Sequence, residues 1–148
     1  MNEKFHHFMS VIYEINHLMH SLKTECMAEF GLKSSHLLCL YYLYNNSPLC
    51  TTKLIKLCCE DKGSISRTVK DLKEKGYIVS RTCLTNVYRA PLVLTEKGEQ
   101  TGKIITEKIN SVTNEISQNL TSDEASCMYS SLEKITKSLE KISTHNTF

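Results

Sequence analysis

Residues 51–98 contain the pattern that most restricts the fold of this chain. Apolar residues at helical spacing give way to alternating, strand-like stretches, and the changes of pattern coincide with turn-forming residues. The predicted elements, in chain order, are a helix over 52–59, a turn at 61–63, a helix over 64–75, strands over 77–83 and 87–94, and a longer helix capped by Thr95. Two short helices followed by a hairpin predict a winged helix-turn-helix.

The segment 64–75 has the two faces that a DNA recognition helix needs. Its apolar residues recur at i, i+4 and i+7 and are predicted to be buried: Ile65, Val69 and Leu72. Its other side presents short hydroxyls and long cations: Ser64, Ser66, Arg67, Lys70 and Lys73. Hydroxyls and N-terminal amides can hold phosphates, and an arginine can donate two hydrogen bonds to guanine. We therefore predict that this helix enters the major groove of double-stranded DNA.

Positive charge is concentrated in the segment that is predicted to bind DNA. Residues 51–90 contain nine Lys and Arg against four Asp and Glu, which gives this segment a net charge of +5. Because the whole chain has a net charge of +2, the remaining residues have a net charge of −3. Further DNA contacts are predicted for Thr51, Thr52, Lys53, Lys62, Arg81, Asn86 and Arg89. An exposed cation on a protruding hairpin suits the minor groove.

Long amphipathic helices are predicted at both ends of the chain. One covers about 3–29, another is capped by Thr95, and a third is opened by the capping box Thr121-Ser122-Asp123-Glu124. Their apolar seams include Phe5, Phe8, Ile12, Ile15, Leu132, Ile135, Leu139 and Ile142. A small winged helix cannot cover these seams, so we predict a homodimer; a monomeric bundle is the alternative. The predicted fold is mainly α, with residues 1–30 and 100–148 as the dimerisation region and 31–99 as the winged helix-turn-helix of one intertwined domain.

Local signals predict where several elements begin and end. Gly31 is expected to cap the first helix, and Gly76 to end the helix over 64–75. Ser34 or Ser35 is expected to cap a buried helix over 34–46, and Thr51 or Thr52 the next one. Pro91 cannot donate to a strand ladder, so its strand is expected at a sheet edge.

Composition argues against several classes of protein. No apolar run approaches membrane length, and Met1-Asn2-Glu3-Lys4 is not followed by the apolar stretch of a signal peptide. Seven cysteines, an odd number, indicate a reducing cytoplasm. No paired carboxylates, nucleophile–base set, phosphate loop or metal cage emerges, so an enzyme is not expected and no cofactor is predicted.

Several stretches together resemble the MarR family of bacterial regulators over essentially the whole chain. They are Gly31-Leu32-Lys33-Ser34-Ser35-His36, Thr52-Lys53-Leu54-Ile55, Asp61 to Arg67, Leu72 to Ile78, and Leu92 to Gly98. The resemblance implies a helical dimer with winged helices that binds palindromic operators and usually represses transcription. It also implies release of DNA by a small molecule, metal or oxidant. The Asp-x-Arg of many family wings falls here on Asn86-Val87-Tyr88, with Arg89 one place later.

Three kinds of effector are compatible with the sequence. A small-molecule cleft would be lined by Tyr13, His17, His20 and Tyr41, with Tyr44 nearby. Metal sensing would use His17, His20 and His36 with Glu14 or Cys26, although the prediction is no metal site. Redox sensing would need an exposed thiol such as Cys83 or Cys127, because Cys39, Cys58 and Cys59 are expected in the core.

A different function class also fits the basic helix. A winged helix can serve as a protein-docking module that recognises an acidic partner and no longer binds DNA. The two classes predict different responses to salt in the presence of random duplex DNA.

Overall fold

The computed structural model describes residues 3–81 and 90–144, and the chain divides into two compact units, 1–108 and 109–148. The described residues form six helices and two strands. These are α1 (Glu3–Ala28), α2 (Ser34–Asn46), α3 (Thr51–Cys58), α4 (Lys62–Glu74), β1 (Ile78–Ser80), β2 (Leu92–Leu94), α5 (Glu96–Gln118) and α6 (Ser122–Thr144). The predicted class, mainly α with a two-stranded hairpin base, is confirmed. The predicted division into dimerisation and DNA-binding regions stays a prediction.

The core of the first unit is aliphatic and draws on every element from α1 to the start of α5. Its fully buried side chains include Met27, Leu40, Leu43, Leu54, Ile65, Leu72, Ile78, Leu92 and Ile105. Each such side chain contributes roughly 1.5–3 kcal/mol of transfer free energy on burial. This core holds α2, α3 and α4 together, so the exposed side of α4 rests on a fixed base.

Two glycines end α1 and α4 in the same way. Gly31 and Gly76 have φ of +62° and +75°, a region that favours glycine. The next amide donates back five residues in each case: Leu32 N–H to Met27 O at 3.1 Å and Tyr77 N–H to Leu72 O at 2.9 Å. The predicted helix ends at Gly31 and Gly76 are thus confirmed.

The beginnings of α2 and α3 differ from the predictions. The residue before α2 is Lys33, not Ser34 or Ser35, and its N–H donates to His36 Nδ1 at 2.9 Å. The residue before α3 is Cys50, and no side chain caps that helix; Thr51 is already helical. At the start of α2, the imidazole of His36, three residues after Lys33, takes the place of the expected hydroxyl. Local sequence preferences alone did not indicate this arrangement.

The turn predicted at 61–63 is wrong, because α4 begins two residues earlier than expected. Asp61 caps it by accepting a hydrogen bond from Ser64 N–H through Oδ1 at 2.8 Å. Lys62 and Gly63 therefore belong to the first turn of α4. By contrast, the predicted caps of α5 and α6 are confirmed: Gly98 N–H donates to Thr95 Oγ1, and Thr121 N–H donates to Glu124 Oε2.

The sheet is short and antiparallel, and it pairs Ile78 with Leu94 and Ser80 with Leu92. Leu92 also exchanges two hydrogen bonds with Leu49, so β2 has a neighbour on both sides there. The expected edge position of this strand is therefore wrong at Leu92, while the Pro91 carbonyl accepts from Arg81 N–H at 2.7 Å. The predicted hairpin tip at 84–86 lies outside the described residues.

The second unit consists of the end of α5 and α6. Apolar side chains on α6 face solvent, among them Met128, Tyr129, Leu132, Leu139 and Ile142. Within the ranges that the structure describes, no helix combines the length and apolarity that a membrane span requires.

Candidate nucleic-acid interface

Helix α4 separates its buried and exposed side chains as the sequence predicted. Ile65, Val69 and Leu72 are buried, together with Thr68. Ser66, Arg67, Lys70 and Lys73 are exposed, and Ser64 is half-buried at the edge of the exposed side. The 3.6-residue period turns the two sets to opposite sides of the helix. The result is a row of hydroxyls and cations on a helix fixed by its apolar side.

The exposed cations of α4 differ in how they are held. Lys73 Nζ donates to Ser80 Oγ at 2.6 Å, which ties α4 to β1. Lys70 Nζ lies 3.8 Å from Glu74 Oε1, both side chains being well exposed, so the pair contributes little. Arg67 makes no hydrogen bond or ion pair with another described residue. Arg67 and Lys70 are therefore available to an anionic partner.

A cleft of about 370 Å³ lies between the start of α2 and α4. It is lined by Lys33, Ser35, His36, Ser64, Arg67, Thr68, Lys70, Asp71 and Glu74. Three cations and three hydroxyls at the cleft suit a phosphate, and the two carboxylates oppose it. Lys33, Ser35, His36 and Asp71 were not predicted at the site, because the sequence does not indicate that 33–36 lies beside 67–71.

A buried histidine is among the residues that line this cleft. His36 is 1% exposed, and its Nε2 lies 2.8 Å from Asp71 Oδ2. Burial lowers the pKa of His36 despite the nearby carboxylate. A hydrogen bond from Lys75 and its positive charge lower the pKa of Asp71. At neutral pH the pair is thus a neutral imidazole donating to a carboxylate.

The remaining predicted DNA contacts are placed around α4. Thr52, Lys53 and Lys62 are exposed at the starts of α3 and α4, and Thr51 is half-buried. Arg81 is exposed directly after β1. Asn86 and Arg89 lie outside the described residues, as does Cys83. All of these contacts remain predictions.

The cysteines fall into two groups, and one expectation about them is wrong. Cys39 and Cys58 are buried, with their sulfurs 3.9 Å apart, and the pKa of Cys39 is raised by its hydrogen bond with Cys58 and by burial. Cys59, expected in the core, is exposed because it caps α3 with φ of +53° and so leaves the helix. Cys127 is exposed, and burial raises the pKa of the half-buried Cys26.

The predicted effector residues occupy different environments. Tyr13, His17 and His20 are exposed on α1, while Tyr41 is half-buried and its ring stands edge-on to that of Tyr42, 5.3 Å between centroids. Both ring nitrogens of His36 have partners, so it is not available as a metal ligand. Residues 3–81 and 90–144 contain no group of three His, Cys, Asp or Glu placed to hold a metal ion.

Most of the predicted dimerisation residues are exposed in the single chain. The exposed fractions are 59% for Phe5, 38% for Ile12 and 53% for Ile15 on α1, and 41% for Leu132, 57% for Leu139 and 43% for Ile142 on α6. Phe8 and Ile135 are half-buried. So much exposed apolar surface on two helices is typical of an interaction site.

The geometry defines a winged helix-turn-helix protein with long flanking helices. Its fold is that of MarR family transcription regulators. Staphylococcus aureus MepR in complex with DNA matches with a TM-score of 0.80 and 19% identity, covering 88% of this chain and 97% of MepR. A putative MarR family regulator from Listeria monocytogenes, complexed with 26mer DNA, matches with a TM-score of 0.79 and 21% identity, covering 95% of each chain.

Staphylococcus aureus MarR in complex with salicylate and kanamycin has the same fold, with a TM-score of 0.77, 17% identity and 95% of each chain covered. No protein-family sequence model matches this chain, and no curated protein matches it in sequence. The resemblance predicted from the motifs is thus confirmed at the level of the fold.

Proposed function

We propose that this protein is a DNA-binding transcription regulator of the MarR family, acting as a homodimer on a palindromic operator. The observation that carries the proposal is the exposed row of Ser66, Arg67, Lys70 and Lys73 on a helix whose opposite side is buried. Two structures with the same fold are bound to DNA, which supports this function.

In this proposal the residues of α4 have separate tasks. Arg67 projects without a described partner and can form the two-pronged hydrogen bond that distinguishes guanine. Lys70 and Lys73 contact phosphates, as do the hydroxyls of Ser64 and Ser66. At the starts of α3 and α4, further contacts to the DNA backbone come from Thr51, Thr52, Lys53 and Lys62. The contacts of the wing come from Arg81, Asn86 and Arg89.

The test combines selection of bound sequences from random duplexes with binding measurements over a range of salt. Arg67→Ala is expected to weaken binding to the selected site by roughly 1–3 kcal/mol and to relax one base preference. Lys70→Ala is expected to weaken all sequences evenly and to reduce the salt slope by about 1. Lys103→Ala, which removes an exposed cation from α5, is the control. Unchanged binding in both α4 variants would contradict the assignment of this helix.

The dimer is supported by the exposed apolar side chains of α1 and α6. A two-fold symmetric dimer would match the palindromic operator of the proposal. Leu139 and Ile142 are exposed on the last turns of α6. The double change Leu139→Lys and Ile142→Lys should convert a sedimenting dimer into a monomer and weaken operator binding steeply. A wild-type chain that sediments as a monomer at micromolar concentration would refute the dimer.

Repression, release by a small molecule and a cytoplasmic location are part of the proposal as well. The structure of a MarR protein with salicylate supports a small-molecule effector. Protein docking without DNA binding is the other candidate, since basic helices also bind acidic partners. A wild-type protein that shows no binding to random duplex DNA at low salt would favour docking.

A further inference from the structure

The buried His36 links two segments that the proposed function requires to be held together. Its Nδ1 accepts from Lys33 N–H at 2.9 Å, and its Nε2 lies 2.8 Å from Asp71 Oδ2. The first contact belongs to the start of α2, and the second to the middle of α4. One imidazole therefore joins both sides of the cleft described above.

The hydrogen bonds define one tautomer of His36. A nitrogen that accepts from a backbone N–H carries no proton, so the proton is on Nε2 and is donated to Asp71. Each nitrogen thus has a single partner, and a half-turn of the ring would lose both hydrogen bonds. With 1% of the residue exposed, water cannot replace them.

Asp71 is an anion in a row of cations. Arg67, Lys70 and Asp71 line the same cleft, and a DNA phosphate placed there would be repelled by a free carboxylate. Oδ2 of Asp71 accepts from His36 and Oδ1 from Lys75, so both oxygens are engaged on the protein side. This arrangement keeps the carboxylate directed at its partners.

We infer that His36 is a positioning residue for DNA binding: through Asp71 it sets where α4 presents Arg67 and Lys70 relative to the start of α2. The inference rests on the proposed function. His36 itself is buried and does not touch DNA, so its effect is transmitted by the displacement of α4 and by the release of the Asp71 carboxylate.

Two amide variants, which differ by one methylene group, separate its hydrogen bonds. The amide of Asn reaches the position of Nδ1, so His36→Asn keeps the acceptor for Lys33 N–H and loses the link to Asp71. The longer Gln reaches the position of Nε2, so His36→Gln keeps the link to Asp71 and loses the other contact. Each variant loses one buried hydrogen bond, which makes their stabilities comparable.

Binding is measured on one duplex selected by the wild type, at a temperature where all three proteins are folded. We expect His36→Asn to bind about tenfold more weakly, with the salt slope reduced by about 1 as the Lys70 phosphate contact is lost. His36→Gln should bind within about threefold of wild type with an unchanged slope. In the free proteins, the amide resonances of Arg67 and Lys70 should shift in His36→Asn and not in His36→Gln.

Equal effects of the two variants on affinity, with unchanged slopes and unshifted α4 resonances, would overturn the inference, because His36 would then act on stability alone. The resonance measurement needs no DNA. A wild-type protein that fails to bind DNA refutes the proposed function, whereas the response of α4 to the two variants decides the positioning role separately.

Discussion

Gly98→Ala offers a sharp test of how α5 is seated on the winged helix. A Cβ at position 98 would lie 2.1 Å from the Tyr77 carbonyl oxygen and 3.1 Å from Leu94 Cδ2. The Tyr77 oxygen is itself held, because Thr95 N–H donates to it at 3.0 Å. Relief of the overlap therefore requires the start of α5 and the base of the hairpin to separate by about 1 Å.

Two opposing terms decide the size of the effect. Alanine improves helix propensity over glycine by about 1 kcal/mol, and overpacking of a fixed backbone costs about 1–3 kcal/mol or more. Because the clash is with backbone, the upper part of that range applies, and we expect a net loss of about 2 kcal/mol. Gly102→Ala is the matched variant one turn later: its Cβ would lie 2.8 Å from Tyr44 Cβ, a smaller overlap, so its loss should be smaller.

Urea denaturation at one fixed protein concentration measures this loss, with unchanged m-values as the check that the denatured state is the same. The melting temperature of Gly98→Ala should fall by about 4–8 °C. A Gly98→Ala protein as stable as wild type, or more stable, would refute the reasoning, since helix propensity would then outweigh the contact with Tyr77.

The remaining predictions concern pH and the cap of α4. The pKa of His36 is lowered in the folded state, so the unfolded chain binds more protons below pH 6.5, and stability should fall as the pH drops through that value. His36→Gln should flatten this part of the stability–pH curve, because it removes the imidazole and leaves the groups that face it, Asp71, Lys75 and the Lys33 backbone. An equally steep curve would contradict the assignment of this pH dependence to His36. Asp61→Ala should lower the free energy of unfolding by about 1 kcal/mol, because Ser64 N–H loses its cap. Asp61→Asn should keep most of the stability. Equal losses of the two variants in thermal unfolding would show that the charge matters and the hydrogen bond does not.

The part of the fold that depends on neighbours in sequence could be predicted without the structure. The buried side of α4, the glycine ends at Gly31 and Gly76, and the capping box of α6 all follow from residues three to five apart. The start of α4 was missed by two residues, because Asp61 was assigned to a turn when it is the cap. Cys59 was predicted in the core for a related reason, since a cysteine in the sequence does not indicate a left-handed backbone.

The amino-acid sequence alone determined the order of the helices, the buried and exposed sides of α4, and the concentration of positive charge in the segment that contains it. Only the tertiary structure decided that His36 lies against Asp71, that Gly98 lies against the Tyr77 carbonyl, and that a cleft lies between the start of α2 and α4. Periodicity and capping act over a few residues and are written in the local sequence. Contacts between residues 20 to 35 positions apart depend on how complete elements pack, and many sequences with the same local pattern would not make them.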